Sequence, residues 1–253
     1  MRSVYIKELS IYFSSPIFYV IASIFACIAG IFFYNSMGYV SLLATRIAQY
    51  QATTGIDMND ILLRPIFSDI SMLIVFIVPV ISMRLYAEEK AQGTIELLFT
   101  YPVSDFKVLA GKYLAGLSIL ICMLAITGVL MVVMSFITTP DWGVVLSSYI
   151  GLILLGAAIL SLGVFASSLT KNQIIAATGT LGMVLCFWVI GWLAATSPDI
   201  PLSGFLQEIS LVSHQARFLK GLITIRDVVF YLCFSLFFLS ITLRILDSRQ
   251  WRG

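Results

Sequence analysis

Long apolar runs alternate with short polar breaks along this chain, and the runs lack the every-second-residue alternation of a half-buried strand. No charged side chain occurs between residues 9 and 45, 113 and 140, 142 and 170, or 172 and 198, and shorter uncharged stretches cover 70 to 83 and 228 to 243. A helix rising 1.5 Å per residue crosses a hydrocarbon core in about 20 apolar residues, so each long run suffices. The two shorter runs become long enough if Asp69, Arg84, Asp227 and Arg244 sit at headgroup depth, where charged ends reach water. Six spans are expected: Ile17 to Val40, Ile66 to Leu85, Tyr113 to Ile137, Val144 to Leu169, Ile174 to Thr196 and Val228 to Leu246. Continuous rather than alternating apolarity excludes a β-barrel. The fold class is all-α and polytopic, with residues 1–253 forming a single transmembrane domain.

Composition agrees with this pattern: 60% of residues are hydrophobic and 11% charged, against about 45–50% and 25% in soluble domains. The first apolar run is too long for the core of a secretory signal, and five more spans follow it. Residues 4 to 15 mix Lys7 and Glu8 with Tyr12 and Phe13 and end at Pro16, which suits an N-terminal interfacial helix. Cys27, Cys122, Cys186 and Cys233 fall inside spans at no metal-ligand spacing and read as small packing residues. The pairs Gly163 with Ser167 and Ala176 with Thr180 suit close helix approach.

Charge sets the orientation. One side would carry Arg2, Lys7, Arg84, Lys90, Lys107, Lys112, Lys171, Arg244, Arg249 and Arg252; the other only Arg46, Arg64, Arg217, Lys220 and Arg226. Ten against five places both termini in the cytoplasm. The net charge of +2 expresses this bias and gives no reason to invoke nucleic acid. Ionisable groups are absent from the middle of every span, which argues against a proton-driven carrier. Gly111-Lys112 is not a phosphate loop, because Tyr113 stands where Ser or Thr is needed and Phe106 replaces the first glycine. The single histidine, His214, has no nucleophile or metal ligand beside it in sequence. The chain therefore reads as no enzyme, with no catalytic residue, metal or cofactor of its own.

Two polar segments remain. Between spans two and three, Gly93 ends a helix that continues span two, and Thr94 reads as the N-cap of a short helix with Glu96 in its first turn. Pro102 stops that helix near Thr100, and Ser104-Asp105 opens the helix leading into span three. The short helix, Ile95 to Thr100, presents Leu97, Leu98 and Phe99 near Glu88, Glu89 and Glu96. On the other side, Phe205, Ile209, Val212, Ala216 and Leu219 recur at helical spacing before Gly221, giving a short outer amphipathic helix with His214 on its polar or interfacial face. Residues 41 to 65 form a second outer excursion, helical near Leu42 to Gln51.

Glu88-Glu89-Lys90, Gly93-Thr94-Ile95-Glu96-Leu97-Leu98, Pro102 and Gly111-Lys112 together resemble the cytoplasmic signature of permeases from the type-two exporter class of ATP-binding-cassette transporters. Lys7-Glu8-Leu9, Phe13-Ser14-Ser15-Pro16, Ser213-His214, Gly221, Arg226-Asp227 and Arg249-Gln250-Trp251 are similar to the gliding-motility-type permease subunits of that class. The resemblance implies a multi-pass subunit of the bacterial cytoplasmic (inner) membrane. It would pair with a second permease, identical or not, and with a separate cytoplasmic ATPase. It implies that Glu88, Glu89, Gly93, Thr94, Glu96, Leu97, Leu98 and Pro102 form or support a coupling helix against the ATPase. It further implies that the segment from Phe205 to Lys220, with Ile209, Val212 and His214, lids the pathway on the outer side. A passive channel, a secondary carrier and a non-transporting membrane scaffold fit the composition as well.

The charge bias generates a direct test. In intact cells, a single cysteine at Lys171 should be shielded from membrane-impermeant thiol reagents and one at Asp57 should label; the reverse pattern would invert the orientation.

Overall fold

Of the long apolar helices, Trp142–Leu169 is the one the others enclose most fully. The computed structural model describes residues 1–50, 58–94, 104–196 and 203–250. Ten helices occur among them, and no strand. They are α1 (Arg2–Ser14), α2 (Pro16–Tyr50), α3 (Met58–Ser82), α4 (Arg84–Ala91), α5 (Asp105–Ile137), α6 (Trp142–Leu169), α7 (Gln173–Thr196), α8 (Ser203–Ile209), α9 (Leu211–Phe218) and α10 (Ile225–Gln250). Six segments are long and apolar enough to cross a membrane: Pro16–Tyr39, Leu62–Ala91, Asp105–Ile137, Trp142–Leu169, Gln173–Leu193 and Ile225–Asp247. Each of the six spans expected from the sequence falls within these helices. The all-helical, polytopic fold class therefore holds.

Helix α6 is the axis of the bundle, packing against α3, α5, α7 and α10 along its length and against α4 and α9 at its two ends. Its buried positions include Gly151, Gly156, Ala157, Ala158, Ser161, Gly163 and Ser167, so neighbouring backbones come in close. An added Cβ at Gly156 would lie 2.2 Å from Leu120 Cδ2, and one at Gly163 only 1.9 Å from Ser82 Oγ. The Ala176 and Thr180 pair of α7 is wholly buried, with Thr180 Cγ2 3.5 Å from that same Cβ position. The two small-residue pairs thus face each other across α6 and α7.

Span two is not one straight helix. Pro79 lacks the N–H that would bond to Val75 O, and one turn later the helix breaks at Met83, between α3 and α4, although Met83 N–H still donates to Pro79 O at 3.0 Å. The Ser167 hydroxyl of α6 fills the gap: it accepts from Tyr86 N–H at 3.1 Å and Ala87 N–H at 2.9 Å, and donates to Met83 O at 2.9 Å. Ser167 is thereby the bond partner of three backbone groups on another helix.

Some expectations change. The interfacial helix at the N-terminus forms as α1 and stops before Pro16. The outer amphipathic segment is two helices, α8 and α9, broken at the buried Ser210, whose Oγ accepts from Ser213 N–H at 3.2 Å. A Cβ at Gly191 would meet that oxygen at 2.0 Å, so the break is seated directly on α7. The four cysteines lie within spans but on exposed positions of the bundle surface, and do not serve as core packing. Helicity near Leu42 belongs to a continuous extension of span one through Tyr50.

The junction at Gly163 yields a measurable consequence. Gly163→Ala should lower the melting temperature of the detergent-solubilised protein, a cost of about 1–3 kcal/mol for overpacking. Ser82→Gly in the same chain should recover part of it, because both atoms that the new methyl meets are removed.

Candidate functional site

Two polar centres stand at opposite ends of α6, one around Ser167 and one around Ser147, about 30 Å apart at 1.5 Å per residue. The first lies where α1, α4 and α5 meet. Gly111 of α5 brings α1 in close, since a Cβ there would lie 3.1 Å from Val4. One residue on, Lys112 is 1% exposed, and its ammonium donates to Glu8 Oε1 of α1 at 2.7 Å and to Leu85 O of α4 at 2.6 Å. It also forms an ion pair with Glu89 Oε2 of α4 at 3.0 Å. The Tyr86 ring lies 5.1 Å from the same nitrogen. The Gly-Lys pair, which fails as a phosphate loop, is therefore a junction for three helices.

Further contacts reinforce the junction. Lys7 lies 3.5 Å from Glu89, Arg84 pairs with Glu88 at 3.8 Å, and the Arg84 guanidinium donates to Ser15 Oγ at 3.3 Å. Tyr12 donates to Ile81 O at 2.6 Å, and burial, with Glu8 nearby, pushes its phenol well above the usual range. Lys90 donates to the Ser168 carbonyl. Of the proposed coupling residues, Glu88, Glu89, Gly93 and Thr94 are gathered here, whereas Glu96, Leu97, Leu98 and Pro102 lie outside the described residues. Gly93 adopts φ +71°, a left-handed value that only glycine takes without strain, and ends α4 as expected. The Thr94 hydroxyl and N–H both turn back to Glu89 O, at 3.3 and 3.0 Å, at the end of α4; the helix it is expected to cap lies outside the described residues. At the other border of the loop, α5 begins at Asp105 after Ser104, as the sequence suggests.

The second centre joins α9 to α10. Asp227 is fully buried and accepts from Arg217 Nε through both oxygens, at 2.9 and 2.8 Å; its Oδ1 also lies 2.6 Å from His214 Nδ1. His214 Nε2 lies 3.0 Å from Glu208 O, and the imidazole stacks on Phe230 at 3.9 Å. Hydrogen bonding to Asp227 pushes the Arg217 guanidinium further above its already high range. The turn after α9 depends on Gly221 at φ +78°, and Ser147 of α6 donates to Phe218 O at 3.0 Å. His214 is thus a buried structural residue, where the sequence placed it on a polar or interfacial face. Phe205 and Val212 are exposed and Ile209 is half-buried.

Sequence reasoning missed the junction roles of Lys112, Glu8, Arg217 and Asp227. The usable signal was a charge beside an apolar run, since such a group is retained inside only with a partner. Among the described residues no cluster of three metal-ligating side chains occurs. Lys112→Met should lower stability by about 3–5 kcal/mol, because Glu8 would remain buried without its cation and Glu89 would keep only the exposed Lys7. Adding Glu8→Met should restore part of the loss in a thermal melt; an unchanged melt for the single variant would remove the junction's importance.

No individual curated protein matches the chain significantly. A family model described as ABC-2 family transporter protein matches residues 2–220, which takes in α1, the junction, the loop after α4 and the helix pair α8 and α9. Six membrane-crossing helices and a match over most of the chain agree: this protein belongs to the ABC-2 transporter family, as a membrane-spanning ABC transporter permease.

Proposed function

We propose that the chain is the permease half of an ATP-driven exporter of the bacterial cytoplasmic membrane, of the gliding-motility type, with both termini in the cytoplasm. It works beside a second permease and takes its energy from a separate cytoplasmic ATPase through the loop that follows α4. The observation that supports this reading is how the loop is held. Its first border, α4, is bonded to the central helix through Ser167, and its second border, α5, is bonded to α4 through Lys112 and Glu89. A displacement of the segment between Thr94 and Ser104 would therefore reach span two, span three and α6 together.

In this reading Leu97 and Leu98 are the apolar anchors in the ATPase, with Glu96 and Pro102 shaping the segment. Glu88 is partly exposed and orients the surface; Glu89 serves the junction from within. At the far end, Phe205, Ile209 and Val212 line the face of α8 and α9 that lids the pathway, and His214 holds that lid to α10. Ten basic residues on the side of the termini support the orientation.

Leu97→Ala combined with Leu98→Ala should strip the ATPase from the permease on gentle-detergent purification, because truncating a buried interface anchor costs about 2 kcal/mol or more. Glu88→Gln should leave association nearly intact, since partly exposed ion pairs contribute about 0–1 kcal/mol. The double variant must insert and melt like the parent. Undiminished ATPase recovery with the double variant would refute coupling through this loop.

A further inference from the structure

A cavity of about 130 Å³, open on one side, lies between α3, α6, α7 and α9 of this single chain. Its volume is close to the roughly 150 Å³ that accepts a benzene in an apolar protein interior. Val75, Leu155 and Val184 form a buried apolar floor, and Trp188 of α7 stands half-buried at the side. Polarity and exposure fall together along one face of α3, where Ser68 is exposed, Ser71 half-buried and Val75 buried. Gln215 of α9, 4% exposed, completes the polar rim. None of the described lining residues is charged.

The hydrogen bonds at the rim have a direction. Ser71 spends its only proton on Phe67 O at 2.7 Å, so its oxygen is left as an acceptor. Gln215 Nε2 donates to that oxygen at 3.4 Å, which orients the amide, while Gln215 Oε1 is buried beside Gly151. Ser71 Oγ keeps a second lone pair for a further donor. We infer that this cavity is a binding site for a small neutral amphiphile, one benzene-sized apolar group seated between Val75, Leu155 and Val184 and one hydroxyl donated to Ser71 Oγ. An ether or ketone of the same shape supplies no proton there and binds less well. A cation or carboxylate finds no counter-charge. The site is distinct from the loop after α4, and its occupancy does not depend on an ATPase.

The test uses the full chain in lipid nanodiscs with Trp188 as the sole tryptophan, after Trp142→Phe, Trp192→Phe and Trp251→Phe. The probes are 4-bromobenzyl alcohol and its methyl ether, whose bromine quenches nearby indole emission. Saturable quenching by the alcohol, on the order of 5-fold tighter than by the ether, is expected from one net hydrogen bond. Ser71→Ala should erase that preference while leaving the helix intact, because the serine hydroxyl serves only its own helix and the Gln215 amide. Val184→Phe should fill the floor and abolish saturation. Quenching that rises linearly with probe and is equal in Val184→Phe would mean bilayer partitioning alone and would overturn the site. Equal affinities for alcohol and ether in the parent chain would overturn Ser71 Oγ as the acceptor. Both readouts are made on the permease without its ATPase, so either failure is separable from a failure of the coupling proposal.

Discussion

The break in span two at Met83 leaves backbone groups of α4 without partners in their own helix, and the way the chain meets that deficit organises much of its architecture. In hydrocarbon each unpaired N–H or C=O costs several kcal/mol, so a broken helix persists only where another element supplies the missing partners. Ser167 supplies three, and it can do so only because Gly163, one turn earlier on α6, lets Ser82 come within contact. The bond set therefore ties the direction of α4 to the central helix. Span two bends where α6 holds it, and the loop that follows inherits a defined point of departure.

The buried Lys112 junction extends the same logic to charges. A lysine at 1% exposure is tolerable because it donates two hydrogen bonds and two carboxylates balance its charge. Those carboxylates come from α1 and α4, elements separated in sequence by two spans, so the ion cluster converts α1 from an interfacial helix into part of the scaffold. The Asp227 centre does the equivalent work at the far end, where Arg217 and His214 secure α9 to α10. Both centres sit at the ends of spans, where desolvation is incomplete and charges cost least. Between them the bundle relies on small-residue contacts and apolar packing, and the proposed amphiphile cavity is a gap in that packing.

Membrane insertion makes the architecture legible from one dimension. Uncharged runs of sufficient length can become only spanning helices, so the six spans and the all-α class follow from residue order alone. Local punctuation was legible too: Gly93 and Gly221 end their helices in left-handed conformations because no other residue adopts them cheaply, and Ser104 precedes α5 as a helix start.

What residue order could not determine is pairing across the bundle. Lys112, Glu8 and Glu89 are spread over more than a hundred positions, and nothing in their spacing distinguishes a buried cluster from three solvated charges. His214 likewise sits at a position that helical periodicity makes polar, yet stacking on Phe230 and contact with Asp227 bury it. The cysteines err in the opposite sense, since apolar composition cannot separate a core-facing from a lipid-facing side when both surroundings are hydrocarbon. Hydropathy and charge bias together decide how many times this chain crosses the membrane, because the solvent acts on each segment separately. Which faces meet, where span two bends and which charges neutralise each other are decided only by the tertiary structure, because those energies belong to pairs of distant residues.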